Sequence, residues 1–161
     1  MKKTLMTIAF IFATMIMFGQ TNDAFNEITS MQPILLQVSE EVVTAETELN
    51  MEVVHLEADL LIGNDWKYMY RTLSKDWTYL VYTEGQVGMV DDMDLKVMKQ
   101  NPITEEWYDV VTDTKENFGG IAVFEVTETA RYAFGIKVAK YSSGWTGCHY
   151  FLLIGHAKPE L

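Results

Sequence analysis

The chain has 161 residues, 48% of them apolar, and a net charge of −11 at pH 7 from 23 acidic and 12 basic side chains. That length supports one domain behind a leader, with enough apolar and aromatic material to bury a core. The acidic balance argues against nucleic acid and anionic membrane surfaces as partners, and the single cysteine, Cys148, cannot form an internal disulfide.

Residues 1–20 have the layout of a secretory signal peptide. Met1-Lys2-Lys3 is a basic leader, Thr4 to Phe18 is apolar and uncharged, and Gly19-Gln20 supplies a small residue for cleavage. The apolar run is short for a membrane span, so the expectation is a cleaved leader, a secreted or periplasmic protein, and no stable membrane insertion afterwards. Losing Lys2 and Lys3 would take the net charge from −11 to −13. No cysteine lies near residue 20 to accept a lipid anchor.

The segment 21–56 is predicted as an amphipathic helix. Ile28, Met31, Leu35, Val38, Val42, Ala45, Leu49, Val53 and Leu56 fall three or four apart and draw one apolar stripe, with Glu40, Glu41, Glu46, Glu48 and Glu52 mainly off it. Pro33 either kinks this helix or begins it. The β-branched run Glu52-Val53-Val54-His55 already has strand character, so the helix ends somewhere between Thr47 and Leu56. The stripe favours docking on the following domain over a coiled-coil homo-oligomer, because only three to four heptads repeat.

From residue 57 the chain is predicted as a β-sandwich. Asp65–Leu73 alternates, with Trp66, Tyr68 and Tyr70 on one face and Lys67, Met69 and Arg71 on the other. Trp77–Thr83, Met93–Lys99, Glu106–Val111, Ile121–Val126 and Cys148–Ile154 follow, separated by turn formers. The strongest element is Arg131–Lys140, where Tyr132, Phe134, Ile136 and Val138 alternate with small or basic residues and are expected to face a core. Short strands at even spacing, without a helix among them, argue for an all-β sandwich.

Four stretches carry a family resemblance: Leu73-Ser74-Lys75-Asp76-Trp77-Thr78-Tyr79, Asp91-Asp92-Met93-Asp94-Leu95-Lys96-Val97, Thr112-Asp113-Thr114, and Thr127-Glu128-Thr129-Ala130-Arg131-Tyr132. Together they resemble the bacterial pre-peptidase C-terminal domain and its galactose-binding-like jelly-roll relatives. Ala130-Arg131 departs from the glycine that precedes this tyrosine in the family. The resemblance implies a jelly-roll-like antiparallel β-sandwich and an accessory or binding module of a secreted protein, in some members with calcium. Segment 21–56 lies outside it.

The residues add candidates for chemistry. Asp92 and Asp94, two apart on a strand, share a face, and Asp113 approaches if the jelly-roll order holds, so these three are the candidate calcium ligands. Asp91 fails the alternation, and the alternative for all of them is a solvated acidic loop. His55, His149 and His156 have no zinc-site spacing, and His149 would point away from Cys148 on the same strand. No catalytic constellation emerges, although scattered carboxylates such as Asp91, Asp94 and Asp113 keep an enzyme among the rivals. Trp66 and Trp77 are expected in the core. Trp145, in a Gly/Ser loop, and Trp107 are the candidates for binding a sugar or a protein partner. The expectation is a non-catalytic binding module without a cofactor unless calcium serves, and its rival is a self-associating envelope or matrix protein built through the helix stripe.

Overall fold

The computed structural model describes residues 30–157. The expected signal peptide, and the part of the expected helix before residue 30, lie outside the described residues. The compact unit begins at Met31.

Helix α1 (Gln32–Thr47) starts at its proline. Pro33 sits in the first turn, where its missing N–H would have had no helical acceptor and its fixed φ suits the helix. Near the other end the amide of Leu49 donates to the Thr44 carbonyl (3.2 Å), and Asn50, in the left-handed region at φ 50°, swings the chain into β1 (Met51–Ile62). Residues 51–56 of the expected helical segment are therefore strand, and the sandwich begins at Met51 rather than at 57. The β-branched pair Val53-Val54 favours that outcome, and a full ladder on β8 (Gly147–Ala157) is available to it. Ile34, Val38 and Ala45 are the buried positions of α1. Ile34 and Val38 pack on Phe151 and Leu153 of β8, with Met31 and Val42 partly buried beside them. Ile34 and Leu35 both suit the spacing from Met31, and docking selects Ile34, leaving Leu35 half exposed.

Six further strands complete the fold: β2 (Lys67–Leu73), β3 (Thr78–Gly85), β4 (Val90–Gln100), β5 (Trp107–Asp113), β6 (Gly119–Glu125) and β7 (Ala130–Tyr141). They form two four-stranded sheets, ordered β1-β8-β3-β6 and β2-β7-β4-β5, with antiparallel pairing throughout. The pairs are nested: β1 with β8, β2 with β7, β3 with β6 and β4 with β5. This is a long hairpin rolled up on itself, the jelly-roll arrangement of an antiparallel sandwich. Helix α1 lies on the first sheet, over β1 and β8.

The core lies between the sheets. Tyr132, Phe134, Ile136 and Val138 of β7 point into it as expected, with Met93, Leu95 and Val97 of β4, and meet Cys148, Tyr150, Leu152 and Ile154 of β8. At the edge between β1 and β2 the inward positions become charged. Lys67 pairs with Asp59 and lies 3.8 Å from Glu57, which accepts the Tyr150 hydroxyl at 2.6 Å.

Burial gives this core an alkaline limit. The Cys148 thiol is pushed up to about 12 because the thiolate would be desolvated. Tyr141 is pushed up to about 12 as well, by burial and then by the Cys148 charge. Tyr150 is displaced further in the same direction, by burial and then by its bond to Glu57. A folded-state pKa above the unfolded value contributes stability that is complete below the unfolded pKa and is lost as pH rises. Stability should therefore fall between about pH 8.5, the ordinary thiol value, and about 12. Urea midpoints against pH should show a shallower decline between about pH 8.5 and 10 in Cys148→Ala than in the natural chain. An aromatic disulfide reagent at neutral pH should modify Cys148 only after unfolding.

Candidate functional site

The outer face of the second sheet carries aromatic side chains that the core does not use. On β2, Tyr68 and Tyr70 alternate with the inward Met69 and Leu73, and register places Tyr68 opposite Gly135 and Tyr70 opposite Ala133 of β7. Across β7 lie Lys96 and Met98 of β4, opposite Gly135 and Ala133. Beyond β4, β5 brings Trp107 opposite Gln100 and Asp109 opposite Met98. The middle of the sheet is thus floored by small or slender side chains and walled by aromatics on both outer strands.

The walls meet above this floor. The rings of Tyr70 and Trp107 lie 5.6 Å apart, tilted by 54°. With Tyr68, Met98 and Ala133 they enclose a groove of about 200 Å³. Tyr70 remains 50% exposed and Tyr68 38%, so these faces are available to a ligand. Trp66 extends the wall, its ring stacked on Tyr68 at 6.2 Å.

Cations hold the aromatic faces. The Lys96 and Lys137 ammonium groups lie 5.5 and 5.1 Å from the Trp66 ring, and the Arg131 guanidinium lies 4.9 Å over Tyr70. Each lysine also meets a carboxylate, Lys137 with Asp94 at 2.9 Å and Lys96 with Asp109 at 3.4 Å. The Asp94 pair is the more enclosed, since Asp94 is buried.

The structure separates the predicted calcium ligands. Asp94 is committed to Lys137. Asp92 accepts from the Asn117 amide at 3.3 Å. Asp113 accepts from the amides of Lys115 (3.2 Å) and Ile121 (3.1 Å). Irregular pairing of β4 with β7 around Asp92 breaks the simple alternation that would put Asp92 and Asp94 on one face. Among the described residues, no three His, Cys, Asp or Glu side chains converge on a metal position. Asp91 bonds Ser142 (2.5 Å) and Lys140 (3.2 Å) near the far end of β7.

Trp107 lies in the groove, half-buried. Trp145 lies elsewhere, in the turn after β7, with its amide on the Ser142 carbonyl at 3.1 Å. Trp66, expected in the core, stands on the outer face instead, because its strand phase is that of Tyr68 and the inward phase belongs to Met69 and Leu73. Trp77 is also outside the deepest core, half-buried with its ring stacked on His156 at 4.1 Å. His149 is buried beside Gln86 (3.4 Å), and burial lowers its pKa. Sequence reasoning missed Tyr68, Tyr70 and Arg131 as site residues. The available signal was the small pair Ala133 and Gly135 on the outward phase of the strongest strand, which marks a floor.

A second hollow, of about 170 Å³, lies where α1 meets β3 and β6. Its lining is mainly aliphatic (Ala45, Leu49, Leu80, Ile121 and Leu153) and continues the contact that docks the helix, so the aromatic groove is the stronger candidate.

No family model matches the chain, and no curated protein matches it. Among solved structures, it is similar to PliG of Aeromonas hydrophila, a periplasmic inhibitor of g-type lysozyme, at 10% identity and a TM-score of 0.45 over 63% of this chain and 84% of that one. It is similar to the Yersinia pseudotuberculosis-derived mitogen at 14% identity and a TM-score of 0.47, over 69% of this chain and 90% of that one. It also resembles chitosan-binding module 1 of a chitosanase/glucanase from Paenibacillus sp. IK-5, at 19% identity and a TM-score of 0.36 over 63% and 76%. No family follows from likeness at this level, and the β-sandwich rests on the strand pairing described above.

Proposed function

We propose that this chain is a secreted or periplasmic glycan-binding module, seating sugar rings in the groove of the second sheet. The observation that carries this reading is the Tyr70–Trp107 pair, two rings 5.6 Å apart over a floor of Ala133 and Met98. Aromatic rings left on a surface beside a narrow floor suit the flat C–H faces of sugars, and the paired lysines and aspartates around them supply a polar rim for hydroxyls. The basic and apolar leader at residues 1–20 supports export. Asp94 and Asp109 flank the groove, but each is held by a lysine, an arrangement suited to fixing side chains rather than moving protons. Calcium has no part in this reading, since Asp92, Asp94 and Asp113 already have other partners.

Electrophoresis of the mature chain through gels containing a panel of neutral and acidic soluble polysaccharides tests the proposal. At least one polymer should retard it. Trp107→Ala and Tyr70→Ala should each weaken retention by about tenfold or more, equivalent to about 1.4 kcal/mol. Both variants should melt close to the natural chain, since neither ring is in the core. Retention by no polymer, or undiminished retention in Trp107→Ala, would overturn the reading.

A further inference from the structure

Three cations line the aromatic face of the second sheet, and they differ in one respect. Lys96 and Lys137 each have a carboxylate within 3.4 Å. Arg131 has none: among the described residues its side chain forms no hydrogen bond and no ion pair, and its guanidinium carbon lies 4.9 Å from the Tyr70 ring. The chain carries 23 acidic side chains against 12 basic ones, so an exposed arginine without a carboxylate is set against the local supply of partners. The Tyr70 ring limits where the guanidinium can go, which lowers the entropy lost when its N–H groups engage a ligand. Tyr70 is itself a wall of the groove, so the cation stands beside whatever stacks there.

Resting on the glycan reading above, we infer that the ligand is an acidic glycan, and that Arg131 binds a carboxylate of a uronate-type sugar while a neighbouring ring lies against Tyr70 and Trp107. Guanidinium and carboxylate match as planar, two-pronged partners, and arginine keeps its charge at any physiological pH. The rest of the molecule repels a polyanion, so recognition depends on contact at this site. At about 0.15 M salt the screening length is about 8 Å, and distant carboxylates count for little.

The test compares retention by polygalacturonate and by alginate with retention by the same polymers after carboxyl reduction, which leaves linkage unchanged and removes the charge. The expected result is tighter retention by the acidic forms, by at least about tenfold. Arg131→Gln should bring it down to the level of the reduced forms, while Trp107→Ala should weaken both. Lys75→Gln, which removes an exposed cation in the turn before β3, should keep the preference and so control for charge alone. Equal retention of acidic and reduced polymers, or a preference that survives Arg131→Gln, would overturn the inference. If neutral polymers of the wider panel still bind through Trp107, the glycan reading stands without it. Retention by no polymer at all overturns both.

Discussion

Replacing Phe151 with alanine should destabilise the protein by about 3–5 kcal/mol, the range for emptying a fully enclosed aromatic site. Phe151 lies in β8, paired on both sides by β1 and β3, and its ring forms the floor on which Ile34 and Val38 of α1 rest. Its ring also meets Tyr82 edge-on at 5.6 Å, and its carbonyl accepts the buried Thr83 hydroxyl at 2.7 Å. The substitution therefore opens a cavity in the seam joining helix to sheet. Ile34→Ala, removing the matching side chain from the helix, should cost about 2–5 kcal/mol. Urea unfolding followed by far-ultraviolet circular dichroism and by tryptophan fluorescence reads both. Coincident transitions at a lower midpoint are the expected result. A helical signal lost well before the fluorescence transition would show that α1 is an accessory to the sandwich and not part of its cooperative unit.

Adding one methyl group at Gly120 should cost at least about 1–3 kcal/mol, and Gly120→Val more. Gly120 lies on β6 of the first sheet, and a β-carbon there would stand 2.5 Å from the Leu95 β-carbon and 3.2 Å from the Leu95 backbone nitrogen on the opposite sheet. Backbone cannot rotate away, so the two layers must part. Gly135 makes the contrast. A β-carbon there would stand 2.7 Å from Tyr68 and 3.1 Å from Trp66, but the atoms met are ring edges on the outer face. Gly135→Ala should leave the midpoint much closer to that of the natural chain and disturb the groove wall instead. Midpoints from urea unfolding, beside polysaccharide retention for Gly135→Ala, check the pair. Equal destabilisation at the two positions would contradict the assignment of Gly120 to the interior and Gly135 to the surface.

Strand β7 was legible because its alternation has one sense only: large apolar side chains at Tyr132, Phe134, Ile136 and Val138, small or basic ones between. Strand β2 carries apolar material on both faces. Trp66, Tyr68 and Tyr70 look as core-like as Met69 and Leu73, and the pattern does not say which phase turns inward. Register decides it, by setting Tyr68 against Gly135 and Tyr70 against Ala133 on the outer side. A groove made from β2, β7 and the consecutive strands β4 and β5 spans too much of the sequence to be seen in any window along the chain. Trp107, the second candidate for exposure, lies in that groove, whereas Tyr70, which walls it, and Arg131, over the Tyr70 ring, sit on strands whose alternation reads as packing. The helix was legible in part of its docking face, at Val38 and Ala45, but not at Ile34, which takes the place of Leu35, nor in its length, because the spacing of Val53 and Leu56 continues the stripe while their strand pairing ends it. The aspartates show the same limit: their density suggested one site, and separate hydrogen bonds divide them.

The nested pairing has a consequence for how the chain can be made. The last two strands, β7 and β8, occupy interior positions of the two sheets, each hydrogen-bonded on both sides. Every earlier strand except β5 and β6 pairs directly with one of them. A growing or partly delivered chain therefore has little to close upon until residues 130–157 arrive. Folding dominated by such distant pairings is slow relative to local structure formation. That property favours consolidation in one step, once the last two strands are present. It also makes the end of the sequence the most sensitive place for a stop: losing Gly147–Ala157 would leave β1 and β3 without a common partner and α1 without its floor.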